Sequence, residues 1–297
     1  MKQIVVSFSG GRTSARFCEL TKKLFPNAVY VFMDTGAEHP ETYEFVKKVN
    51  TEFDLNLVCL RAVIHPDMGV GVTYKIVGID EIKHDLEPWR EMVNKYGLPY
   101  LTGAFCTDRM KTTPCRKYLI DTYGKGNYEI FLGMRIDEPS RLKPKLGIKY
   151  LADFNDSEKQ DILDWWAKMP FDLKIKEHLG NCVFCIKKGI NKVALAARDE
   201  PELASQFIDV ITSDNVRKLP VIQMDDDLNL YEDDFDFNHL ATSGLDMYRG
   251  HLSLMQIIDL YKEMPTDKLA KTVRSTFETG SCSESCELLV EQMGLEL

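Results

Sequence analysis

Two groups of residues in this chain have types and spacings that could do chemistry. The first is Ser7-Phe8-Ser9-Gly10-Gly11-Arg12-Thr13-Ser14, which follows the apolar run Ile4-Val5-Val6. Two adjacent glycines let a backbone turn tightly and point its N–H groups outward. A following helix adds the positive end of its dipole and hydroxyls add donors, so such a turn holds phosphate. The same residue types also serve as a plain helix cap with no ligand. The turn is not a nucleotide P-loop of the G-x-x-x-x-G-K-[ST] type, nor the G-x-G-x-x-G of dinucleotide-binding domains. The second group is made of thiols: Cys182-Val183-Phe184-Cys185 follows Gly180-Asn181, and Cys106 and Cys115 stand upstream. Two thiols separated by two residues can reach one metal around a tight turn, and a redox dithiol or simple packing would use the same spacing. Spacing does not separate an iron–sulfur cluster from zinc, since both accept four thiolates.

Two further polar segments stand where apolar runs end. Asp34-Thr35-Gly36-Ala37-Glu38-His39-Pro40-Glu41-Thr42 follows Val29 to Met33, and Gly133-Met134-Arg135-Ile136-Asp137-Glu138-Pro139-Ser140-Arg141 follows a run ending at Leu132. At the carboxyl ends of neighbouring parallel strands both would face the same crevice as the glycine turn. Arg135 and Arg141 suit a bidentate grip on phosphate or sulfate oxygens, with pairing to Asp137 and Glu138 as the competing use. Asp34 and Thr35 could equally satisfy backbone groups in a capped turn.

Together these segments resemble the PP-loop adenine-nucleotide superfamily, and within it the phosphoadenosine-phosphosulfate (PAPS) reductase-like family. Ser9-Gly10-Gly11-Arg12-Thr13-Ser14 is similar to Ser-Gly-Gly-x-Asp-Ser, the second segment to Asp-Thr-Gly-x-x-x-Pro-Glu-Thr, and the third to Gly-x-Arg-x-x-Glu-x-x-Arg. They occur in the family's order across residues 5 to 141. The resemblance implies an adenine nucleotide, ATP or PAPS, held by Ser7, Ser9, Gly10, Gly11, Arg12, Thr13, Ser14, Asp34, Thr35, Gly36 and Gly133. It implies catalytic roles for Arg135, Lys111 and Arg141. Thr13 departs from the pattern, standing where most ATP-using members have Asp, which bears on pyrophosphate and Mg²⁺ handling.

Cys106 through Cys115 resembles the family's Cys-x-x-x-x-Lys-x-x-Pro segment. That likeness implies a [4Fe-4S] cluster on Cys106, Cys182 and Cys185 with Cys115 as fourth ligand, zinc being the alternative. PAPS reductases attack with a tail cysteine in a Glu-Cys-Gly-x-x-His setting. Cys282 and Cys286 have a different setting, Gly-Ser-Cys-Ser-Glu-Ser-Cys. The implied reaction is ATP activation with pyrophosphate release coupled to sulfur transfer, or reductive cleavage of a sulfonucleotide to sulfite. A nucleotide-binding regulator that lost turnover is a third reading. A sulfur donor or thioredoxin-like reductant would be a partner, and a nucleic-acid acceptor and a homo-oligomer are left open.

The elements that must position these residues follow from the apolar pattern. The first 150 residues alternate short apolar runs with helical periodicity, the pattern of a parallel sheet wrapped by helices. Strands are expected at Ile4–Val6, Val29–Met33, Leu57–Leu60 and Glu129–Met134, with helices on Phe17, Leu20 and Leu24 up to Pro26 and from Glu41 to Val49. Segment 61 to 103 has poor periodicity and reads as a long insertion near the site. From about Ser157 the pattern becomes helical. The fold class is therefore α/β: a Rossmann-like sheet with a PP-loop domain over 1–155, then a mainly α-helical region over 156–297.

The 297 residues, 44% hydrophobic, suffice for a large core, and Cys18 and Cys59 fall on apolar faces of it. No apolar run spans a bilayer, and eight cysteines without a secretory signal suit reduced thiols or metal ligands, so the chain reads as cytoplasmic. A net charge of −9 argues against coating nucleic acid, though Arg109, Lys111, Arg116 and Lys117 could form a local basic groove. Asp225-Asp226-Asp227 and Glu232-Asp233-Asp234 read as solvated acidic surface.

Overall fold

The computed structural model describes residues 2–101, 103–218 and 247–275. Six strands form one sheet in the order β4-β3-β2-β1-β5-β6. They are β1 (Gln3–Phe8), β2 (Val29–Asp34), β3 (Val58–Val63), β4 (Thr73–Val77), β5 (Tyr128–Leu132) and β6 (Ile148–Tyr150). All neighbours run parallel except β4, which pairs antiparallel to β3 at the edge. The central strands are rich in Val, Ile and Phe because both faces are covered. Since β1 is the central strand from which the chain winds first to β2 and β3 and later to β5, the crevice above its carboxyl end is the switch point where ligands bind in such sheets.

Helix α1 (Arg12–Leu24) starts one residue beyond Gly11 and buries Phe17, Cys18 and Thr21 on the sheet. Helix α2 (Pro40–Glu52) begins with proline in its first turn, and the His39 ring accepts the Glu41 N–H at 3.1 Å, capping it. Segment 61–103, read from sequence as an insertion without periodicity, contains β4 and α3 (Glu87–Tyr96). Both are short, and β4 is half-exposed at an edge, so neither leaves a clean apolar period. Helix α4 (Thr113–Tyr123) leads back into β5.

The second half holds α5 (Lys159–Trp166), α6 (Ile190–Asp199), α7 (Pro201–Ile211), α8 (Leu254–Leu260) and α9 (Thr266–Ser275). It does not pack as a separate body. Ile162, Trp166, Phe171 and Leu173 join Val6, Phe8, Phe17 and Phe45 in one apolar cluster against the sheet. In turn, Trp89, Met92 and Val93 of α3 pack with residues of α6, α7 and α8. Among the described residues no helix is long and apolar enough to cross a membrane.

Candidate functional site

The glycine turn leaves the end of β1 with Gly10 at φ +80° and Gly11 extended, and no side chain caps α1. Every helix start leaves N–H groups without intrahelical partners, so an uncapped start at a sheet's switch point is an anion cradle in waiting. Ser14 Oγ accepts the Ser9 N–H at 3.2 Å and lies 2.9 Å from Ser9 Oγ, bracing the turn from within. Ser7 lies half-buried in β1, beside Val31 and Leu132. At Gly133 a Cβ would stand 2.8 Å from the Ser14 Cα, so the absence of a side chain lets the β5 loop close on the start of α1.

That approach delivers Arg135 to the turn. Its Nη1 donates to Thr13 Oγ1 at 3.1 Å, and its Nε donates to Asp137 at 2.7 Å. Thr13 therefore helps aim the guanidinium, a role a hydroxyl fills without neutralising it. Arg141 is 3% exposed and its guanidinium goes to Glu138, the structural use rather than a grip on ligand. Arg12 lines the cleft, but its guanidinium is forked onto Asp172 at 2.6 and 2.9 Å. Trp166 Nε1 donates to the Arg12 carbonyl at 3.0 Å, so α5 holds the turn from above.

The Asp34 loop is buried instead of lining the cleft. Asp34 receives Arg61 at 2.5 and 2.9 Å, the Gly36 N–H and the Tyr43 hydroxyl. Burial pushes its carboxyl up to about 6, against the opposing charge of Arg61. Arg61 also reaches Asp85 and Glu87, pinning the 78–87 segment to the sheet. Glu38, 2% exposed, is the hub of this loop. It accepts the Thr35 hydroxyl at 2.6 Å and the Tyr43 hydroxyl at 3.0 Å, and it pairs with Lys111 at 3.4 Å. Burial pushes Glu38 up, but Lys111 and the two hydroxyls outweigh it and hold the carboxyl below its ordinary value. Lys111 sits in a π-helical turn, Asp108–Thr112, and does not line the cleft.

The cysteine segment meets the same loop. Glu38 and Cys182 form a β-bridge, the Val183 N–H donates to the Ala37 carbonyl at 3.0 Å, and the Cys182 thiol lies 3.8 Å from both Glu38 and Thr35. Burial pushes the Cys106 thiol up to about 12, and Cys185 and Cys182 add to that rise. Cys115 sits apart, in an apolar cluster with Val5, Leu119 and Ile130, so α4 assigns it to packing against the sheet rather than to the thiol trio. Cys18 and Cys59 are fully buried in the core, and Cys282 and Cys286 lie outside the described residues. Among the described residues, no three or more His, Cys, Asp or Glu side chains are disposed around a point to hold one metal ion. A mononuclear zinc site is therefore not met.

The cleft over the turn takes in about 900 Å³ of space that includes open solvent. Of the residues that motif matching assigned, Ser9, Gly10, Gly11, Arg12, Thr13 and Arg135 line it. The opposite wall comes from the second half: Ile162, Leu173, Ile175, Lys176 and Glu177. None of these was legible in sequence, because they carry no motif and reach the cleft through the packing of α5. Glu38 stands inside the Asp34 motif, and its role as hub comes from the fold, which places Thr35, Tyr43 and Lys111 around it.

The chain is 45% identical to the uncharacterized nin region protein ORF290 of Escherichia phage lambda over 98% of its own length and 97% of that protein. An uncharacterized protein of Methanocaldococcus jannaschii is 29% identical over 70% of this chain and 47% of its own length. A crystal structure of PAPS reductase from Candida auris, a phosphate complex, superposes with a TM-score of 0.36 at 16% identity, covering 57% of this chain and 73% of that one. The match that settles kinship is to the phosphoadenosine phosphosulfate reductase domain, whose family model spans residues 3–165, more than half the chain and all of the sheet, and the chain accordingly belongs to that family.

Proposed function

We propose that the protein is an adenine-nucleotide enzyme that consumes ATP to activate an acceptor for sulfur transfer, releasing pyrophosphate. The observation that supports this reading is the uncapped start of α1 behind the Gly10-Gly11 turn, with Arg135 aimed at it by Thr13. Two glycines with a free helix end can cradle two adjacent phosphates. An acceptor oxygen attacks the α-phosphorus, and the bond to the bridging oxygen breaks, so pyrophosphate leaves with the electron pair. A sulfur nucleophile then displaces AMP from the acceptor. The cradle N–H groups and Arg135 stabilise the negative charge that develops on the phosphoryl oxygens.

Cys106, Cys182 and Cys185 would hold three corners of a [4Fe-4S] cluster, in which each thiolate binds its own iron and the thiols need not surround one point. Such a cluster, when bound, supplies an electron or a coordination position for sulfur. Cys182→Ser should lower iron and sulfide in anaerobically prepared protein, and Cys18→Ser should leave them unchanged. Unaltered iron in the Cys182 variant would remove these residues from the cluster.

A second reading, reductive cleavage of PAPS to sulfite by a thioredoxin-type dithiol, draws on the cleft's donors. Glu177 is the one carboxylate among the described lining residues, and it is paired with Lys159 at 2.9 Å. Thr13 adds no further carboxylate, so Mg²⁺ would rely mainly on the nucleotide's own oxygens. One assay separates the readings: anaerobic protein with ATP, Mg²⁺, sulfide and a heat-treated cell extract as the source of the acceptor, or with PAPS and reduced thioredoxin. Pyrophosphate in the first supports ATP activation; sulfite without pyrophosphate replaces it with the reductase.

A further inference from the structure

A second groove, which shares no lining residue with the nucleotide cleft, takes in the amino ends of β1, β5 and β6. It runs between α4 and the β5–β6 edge, encloses about 1330 Å³ of space that includes open solvent, and has a floor of Tyr128, Ile130 and Ile148. Four cations line it: Lys2 before β1, Arg116 and Lys117 on α4, and Lys125 in the turn before β5. Among the described residues, no carboxylate lines it. None of the four cations takes part in an ion pair among the described residues, whereas Arg12, Arg61, Arg135 and Lys176 elsewhere are all matched by carboxylates. Lys2, Lys117 and Lys125 are exposed and Arg116 is half-buried beside Tyr128, whose hydroxyl feels its charge.

The overall acidity of the chain hides this surface. Residues 219–246 and 276–297 hold thirteen of the 46 acidic residues and no lysine or arginine, so the other 247 residues carry a net charge of +4. Four cations without counter-charges around one apolar floor leave the groove with two unmet demands: anions along the rim and flat or apolar groups between them.

We infer that this groove binds single-stranded nucleic acid, with phosphates on Lys2, Arg116, Lys117 and Lys125 and bases laid over Tyr128, Ile130 and Ile148. A single strand offers phosphates and exposed base faces together, while a duplex keeps its bases stacked away from a protein floor. Phosphates neutralised by the four cations release counterions, and for single strands the logarithm of affinity falls with that of salt at a slope of about −0.7 per phosphate, or about −2.8 for four.

The test is fluorescence anisotropy of labelled twelve-nucleotide single strands, DNA and RNA, titrated with the full chain between 50 and 200 mM salt. Binding of either strand with a slope near −3 is expected. Lys117→Glu with Lys125→Glu should weaken it at least tenfold and bring the slope to about −1.4, with the melting temperature unchanged because both side chains are exposed. The cleft variant Gly10→Ala should leave it intact, so this result and the ATP reading stand or fall separately. Absence of salt-dependent binding, equal binding by the double variant, or equal binding by a duplex or a polyglutamate peptide would each overturn the inference.

Discussion

At the scale of single residues, the turn depends on an atom that is missing. A Cβ at Gly10 would stand 2.8 Å from Thr42 Cγ2, on a backbone at φ +80°. Gly10→Ala should therefore cost about 1–2 kcal/mol from the left-handed backbone alone, and in addition lower nucleotide affinity at least tenfold as the turn shifts. Gly126→Ala is the control, since it has φ +78° but nothing within 4 Å of its Cβ position. It should destabilise without touching affinity, and calorimetry with ATP and PAPS beside thermal melts distinguishes the two. Arg135 acts on developing charge, so Arg135→Lys, which loses the fork to Asp137, should lower kcat by about ten- to a hundredfold with a smaller change in KM. An equal loss in ground-state affinity would make Arg135 a binding residue only. These residues were legible in sequence because the turn and the arginine loop are local motifs. The partner that takes Arg12, Asp172, lies 160 positions away and was not.

At the scale of elements, the short turn Glu177–Leu179 ties the cleft wall to the end of α6. His178 Nε2 meets Asp199 at 2.8 Å, and Lys176 meets the same carboxylate at 2.8 Å. Burial pulls His178 below its ordinary 6.5, outweighing Asp199. The unfolded chain thus binds a proton here that the folded chain refuses, and stability falls as pH drops below about 6.5. Burial pushes Asp199 up, but bonds from Lys176 and His178 prevail and hold it below its ordinary 3.8. Its contribution is present above that value and disappears only at lower pH. Asp34, raised to about 6, opposes this by taking up a proton in the folded chain as pH falls through that value, so the His178 effect is read as a difference: between pH 6.5 and 5 the urea midpoint of the parent should fall relative to that of His178→Gln, while both lose stability below pH 4. An unchanged slope in the variant would assign the acid limb to other groups. Element identity was clearest in sequence for β1, α1, β2 and α2, which are apolar and well punctuated. The strands β4 and β6 were hidden because edge strands are only half covered.

At the scale of the whole molecule, the helical region completes the sheet's core rather than standing beside it. Trp166 is 1% exposed, packs on Phe45, Phe53 and Phe171, and bonds the Arg12 carbonyl. Trp166→Ala should cost about 3–5 kcal/mol and weaken nucleotide binding, measured by denaturation and calorimetry. A chain ending at residue 155 should lack a cooperative melt, since it forfeits Ile162, Trp166, Phe171 and Leu173. A sharp transition in that shortened chain would restore a self-sufficient first domain. What the sequence by itself determined was local: the phosphate turn, the loops at strand ends, the parallel strand pattern and the thiols worth watching, all of which depend on neighbours within about ten positions. Only the tertiary structure decided which side chains share a space. It buried Asp34 under Arg61, turned Arg141 and Lys111 toward carboxylates, set the Cys182 thiol against Glu38 while leaving Cys115 in the core, and drew four cations to one groove in a chain of net charge −9. Burial and charge pairing act through distance in space, and spacing along the chain carries no record of it until the sheet brings the segments together.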